Sequence, residues 1–103
     1  MTTKSIQSNG ALEMKFDEAM RNIYRAAQSE CGYTATRFMQ MIQTHGGLVT
    51  AKRLLASTTF PSGLSQLAEC GCLHLSMEAL VLDEQWSELF TDAELKLAKR
   101  RLT

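Results

Sequence analysis

Apolar residues recur along this chain at three- and four-residue steps. Leu12, Phe16, Met20, Ile23, Ala27 and Cys31 form the first stripe, widened by Ala19 and Tyr24. Lys15, Asp17, Glu18, Arg21, Arg25 and Gln28 fill the other positions. A 3.6-residue period of this kind predicts an amphipathic helix of about five turns. Gly32 is its natural stop, because glycine accepts the left-handed backbone that ends many helices. The polar stretch MTTKSIQSNG before the stripe predicts a flexible N-terminus over residues 1–10, followed by a single helical domain over 11–103.

The same period continues, punctuated by helix starts and stops. Thr34 is placed to cap a second helix, with Tyr33 packing on Phe38 as a hydrophobic staple. That helix should end at His45 before Gly46-Gly47. A third, roughly 48–57, turns Leu48, Ala51, Leu54 and Leu55 inward and Lys52 and Arg53 outward. Pro61 and the cap candidate Ser62 open SGLSQLAEC, which Gly71 stops. Ser76 caps MEALVL, with Leu75 and Leu80 as a second staple. DEQWSELF presents Trp86, Leu89 and Phe90 from a short helix. Thr91 and Glu94 form a capping box, and Phe90 with Leu95 a third staple. The last helix, 92–102, has its acids first and its bases last, the order the helix dipole favours. No segment sustains the two-residue alternation of a strand. Helices this short are unstable alone and must share a core. The expected fold is all-α, a compact bundle of six or seven short helices.

Composition agrees with one soluble-type domain. The chain has 103 residues, 45% of them hydrophobic and 21% charged, with a single proline. It is long enough to bury a core without metals or cross-links. No apolar run approaches the roughly 20 residues that span a bilayer, and the N-terminus lacks the apolar segment of a secretion signal. The cytoplasm is the expected location. Three cysteines, an odd number, then read as free thiols in a reducing compartment.

Formal net charge is zero, yet its distribution is uneven. Residues 1–53 hold seven basic side chains against four acidic ones. Residues 54–95 contain no lysine or arginine and seven acids: Glu69, Glu78, Asp83, Glu84, Glu88, Asp92 and Glu94. The last eight residues add Lys96, Lys99, Arg100 and Arg101. Such asymmetry can steer a charged partner. Glu84 and Glu88, with Trp86 between them as an anchor, are the candidate protein-binding residues. Arg37, Lys52 and Arg53, joined by Lys99, Arg100 and Arg101, are the candidate phosphate contacts of a nucleic-acid-binding protein.

Catalytic and metal chemistry find little support. Cys70, Cys72 and His74 offer at most three zinc ligands, in a spacing that fits neither ribbon nor finger, and Cys31 could complete them only if the first helix ended nearby. Gly71 between the cysteines reads better as a corner between two helices. The two histidines, His45 and His74, accompany no phosphate loop, nucleophile elbow or HExxH motif. The chain is therefore expected to be no enzyme and to need no cofactor. The helix–Gly–helix unit around Gly46 has the outline of a helix-turn-helix. Ile42 or Gln43, however, falls where a small residue is usual, and Lys52 or Arg53 where a buried one is.

The segments TRFMQMI, HGGLVTAKRLL, GLSQLAECGCLHLSMEALVL, W-x-x-LFT and the helix E-L-x-x-A-x-x-R-L resemble a small helical domain of unassigned function found in bacterial proteins, over residues 33–102. The resemblance implies one compact helical domain and brings no activity, ligand or catalytic residue. Around Cys72 and His74 the sequence departs from the family's basic and acidic positions, which further disfavours a metal there. Taken together, the residues point to a cytosolic interaction module that binds a macromolecular partner, in the first instance a protein, through a charged helical face. Nucleic-acid binding is the alternative, as is inhibition of a nucleic-acid-handling complex of the sort mobile elements encode.

Overall fold

The computed structural model describes the backbone of residues 2–57 and 62–103, with side chains for 10–57 and from 63 onward. It is an all-α bundle. The described residues form α1 (Thr2–Cys31), α2 (Thr36–His45), α3 (Gly47–Ala56), α4 (Ser62–Glu69), α5 (Met77–Val81) and α6 (Asp92–Leu102), with two 3₁₀ segments at Leu73–Leu75 and Glu84–Leu89.

Helix α1 is the spine. Its span runs from Thr2, so residues 2–10 lie on the same helix as the apolar stripe. Phe16 and Met20 are fully buried on that stripe. Phe16 meets Trp86 and Phe90 edge-on, with ring centroids 5.3 and 5.4 Å apart, a geometry that sets ring edges against π faces. Around these rings close Ile42, Ala51, Leu55, Val81, Leu89 and Ala98. Trp86 and Leu89 share one edge of their segment because a 3₁₀ helix repeats every three residues. The period explains how so short an element buries two large side chains and still exposes Glu84 and Glu88.

Two glycines permit the tight joins. Gly46 alone separates α2 from α3, at φ 86°. Gly47 lies against α1 so closely that a Cβ there would sit 2.8 Å from the Asp17 Cα. A one-residue connection differs from the three- or four-residue turn of a helix-turn-helix. That motif, already a poor match in sequence, is not what α2 and α3 form.

The caps fall partly as expected. Ser76 Oγ accepts the Ala79 amide at 3.1 Å, and Thr91 with Glu94 forms a complete capping box. Thr34 does not cap α2. Its Oγ1 accepts instead from Gln28 Nε2 at 3.3 Å, and the N-cap is Ala35, which offers no side-chain acceptor. The Pro61–Ser62 cap lies outside the described residues.

Candidate functional site

Four features carry the chemistry of this chain: the cysteine corner, the basic candidates, the acidic edge and a groove between helices.

The corner is a helix stop with a cross-link. Gly71 takes φ 72°, the Cys72 amide donates to the Leu67 carbonyl at 2.8 Å, and the Gly71 amide donates to Ala68 at 3.0 Å. These are the two bonds of a Schellman motif, so the backbone turns here for local reasons. The end of α1 does reach this corner, but it brings no metal ligand set. Cys31 and Cys70 form a disulfide across 39 residues, with Cα atoms 5.9 Å apart. Only Cys72 is a free thiol, buried with Ala27 and Leu67 in a small second core. The expectation of three free thiols is thus corrected, and with it goes the cysteine argument for a cytoplasmic location, since disulfides persist in oxidising surroundings. His74 is exposed, with Nε2 4.0 Å from Glu30 Oε1. Among the described residues, no three His, Cys, Asp or Glu side chains are grouped as metal ligands would be.

The basic candidates do not form one free surface. Lys52 Nζ sits 2.7 Å from Glu94 Oε1 and 5.1 Å from the centre of the Phe90 ring, tying α3 to α6. Arg101 is half-buried, its side chain 11% exposed. It donates to Glu78 Oε2 at 3.2 Å and to the carbonyls of Leu55 and Ser57 at 3.2 and 3.1 Å, closing the C-terminal end of α3. A guanidinium so engaged has little left for a phosphate. Its sequence context hid this, because i, i+3 and i, i+4 neighbours say nothing of Glu78, 23 residues away. Arg53, Lys99 and Arg100 are exposed on α3 and α6, and Arg37 is exposed in the first turn of α2.

The acidic edge is firmly held. Trp86, taken from sequence as an interface anchor, is 4% exposed and belongs to the core. Its role is to fix the segment from which Glu84 and Glu88 project. Neither carboxylate has an ion-pair or hydrogen-bond partner among the described residues. Two other acids are committed inward. Burial raises the Asp17 pKa, but the bonds from Arg21 and the Gly47 amide outweigh it and hold the carboxyl below its usual range. Glu94 is likewise raised by burial, then lowered on balance by Lys52 and by the Thr91 amide.

The groove, of about 590 Å³, opens between α1, α2, α4 and α5. Ile23, Ala27, Phe38, Leu64, Leu67 and Met77 supply apolar walls, and Arg37 and Glu78 are its charged members among the described residues. No motif signalled it, because each of these residues reads in sequence as ordinary core.

No helix among the described residues is long and apolar enough to cross a membrane. Comparison with protein-family models, with curated proteins and with solved structures finds no match.

Proposed function

We propose that this chain is a non-enzymatic interaction module that binds a protein partner through its acidic edge, with Glu84 and Glu88 as the contacting charges. One observation carries this reading: both carboxylates stand exposed, with no partner among the described residues, on a segment that Trp86 and Leu89 lock into the core. A backbone already held in place need not be ordered on binding, so charges carried on a fixed segment recognise a basic surface at lower entropic cost than charges on a mobile one. The nucleic-acid alternative loses ground by the same physics. Two of its six candidate contacts, Lys52 and Arg101, already neutralise Glu94 and Glu78.

The test starts with capture of a partner from nuclease-treated extract. The purified partner is then titrated against wild type and a Glu84→Lys/Glu88→Lys variant. Charge reversal should weaken binding by tenfold or more, about 1.4 kcal/mol, while leaving the melting temperature unchanged. Equal affinity for the variant would sink the acidic edge as the site. Binding of a labelled nucleic-acid duplex that falls steeply with salt, and is lost in Arg53→Glu or Lys99→Glu/Arg100→Glu, would move the function to the exposed bases of α3 and α6.

A further inference from the structure

We propose a second binding site, independent of the acidic edge: the groove between α1, α2, α4 and α5 takes a small amphipathic anion, an apolar body bearing one carboxylate. Its volume, about 590 Å³, falls within the range of cavities that enclose small ligands. Its walls are largely aliphatic and aromatic, as such sites are. Apolar surface so arranged favours a ligand body that sheds water on entry.

Charge decides which ligand. Glu78 and Arg37 are the charged residues lining the groove among those described. Glu78 is neutralised by Arg101, whose guanidinium lies 3.2 Å from it, so it repels no anion. Arg37 is exposed and has no ion-pair partner among the described residues. The groove therefore carries a net positive charge at one end only. That end is also where α2 begins, and Ala35, Thr36 and Phe38 line it beside Arg37. The α2 N-cap is Ala35, whose methyl side chain has no acceptor, and the Thr34 hydroxyl accepts from Gln28. A carboxylate seated here would accept from the guanidinium at the positive end of a helix, while its tail lies along Ile23, Ala27 and Leu67. A cationic ligand would meet a like charge at Arg37, and a neutral polar one would lack the charge-assisted bond.

The experiment is a fluorescence titration of the full chain with 11-(dansylamino)undecanoic acid, repeated with its methyl ester. The acid should bind saturably, one per chain. Arg37→Gln should weaken the acid by about tenfold and leave the ester unchanged, since the ester cannot use the charge. Arg37 is exposed, so its variant should melt with wild type, separating a lost contact from a lost fold. No saturable binding of the acid, or acid and ester binding equally to both proteins, would overturn the proposal. A dimer in sedimentation, together with no binding of the acid, would assign the groove to a second copy of the chain and overturn it equally.

Discussion

Asp17 and Gly47 are 30 residues apart in the chain, yet the Asp17 Oδ1 accepts the Gly47 amide hydrogen at 2.7 Å. The amide belongs to the first residue of α3, whose own N-cap, Gly46, has no side chain to offer. A carboxylate from α1 thus caps α3 from outside, while Arg21 Nε holds its other oxygen at 2.8 Å. The same contact brings the two backbones together, since only a residue without a Cβ fits between Asp17 and Met20. Asp17→Ala should destabilise the protein by about 1–2 kcal/mol, the usual range for a lost cap. Asp17→Asn, which keeps an acceptor, should lose less. Gly47→Ala should cost about 1–3 kcal/mol through overpacking against backbone. Urea denaturation measures all three, and a Gly47→Ala protein as stable as wild type would refute the close approach.

This contact marks the boundary of what the residues reveal in order. Signals that act within a turn were legible: the stripe from Phe16 to Ala27, the Ser76 cap, the Thr91–Glu94 box and the left-handed glycines at 32 and 71. Each is set by neighbours three or four positions away, so its sequence spacing is its geometry. The candidate sites depend on contacts that cross the fold. Arg101 resembles any solvated base near a helix end until Glu78 and the end of α3 are placed around it. Trp86 reads as an anchor between two acids or, at helical spacing with Leu89 and Phe90, as core, and finding Phe16 against it decides for core. Thr34 is not the cap because α2 begins at Thr36 with Ala35 in the N-cap position, and its hydroxyl accepts from Gln28, six residues earlier.

Acid should weaken the fold through Asp17 and Glu94. Both are held below their ordinary values of 3.8 and 4.5 in the folded state, by Arg21 with the Gly47 amide and by Lys52 with Thr91, against the opposing effect of burial. Between folded and unfolded pKa values the unfolded chain binds more protons, so stability rises with pH there. Their contribution is complete above the unfolded values and is lost as pH falls through the lowered folded ones. The melting temperature should be level down to about pH 5.5 as far as these groups are concerned, then decline below about pH 4.5. Glu94→Gln should make that decline shallower. A slope unchanged by the substitution would show that Lys52 does not favour the charged form of Glu94.

Glu78 and Arg101 form the buried ion pair of α5 and α6, with side chains 4% and 11% exposed. Removing one partner leaves a desolvated charge, which typically costs about 3–5 kcal/mol. Glu78→Ala should approach that figure. Arg101→Met should also be severe, because the Leu55 and Ser57 carbonyls lose their donor along with Glu78. The double variant Glu78→Ala/Arg101→Met should be less damaged than the sum of the two single changes. Additive losses in a double-mutant cycle would mean the pair is not coupled.

The Cys31–Cys70 disulfide joins the end of α1 to the turn after α4, and it encloses the whole of α2 and α3. Helix α4 needs that tie. Its buried residues, Leu64 and Leu67, lie outside the main core, and Leu67 packs instead with Ala27 and Cys72 in the smaller cluster. Closing a loop of this length restricts the unfolded chain, and the chain-entropy relation gives about 4 kcal/mol for 39 residues. Reduction, or Cys31→Ser with Cys70→Ser, should therefore lower stability by about 2–4 kcal/mol in urea. Thiol titration of the denatured, unreduced protein should find only the Cys72 thiol, with all three cysteines reacting after reduction. Hydrogen exchange should locate the loss, with amides of α4 opening first on reduction while those of α1 around Phe16 and Met20 stay protected. Uniform opening of both helices would show that α4 is part of the main cooperative core and not a separately fastened wall.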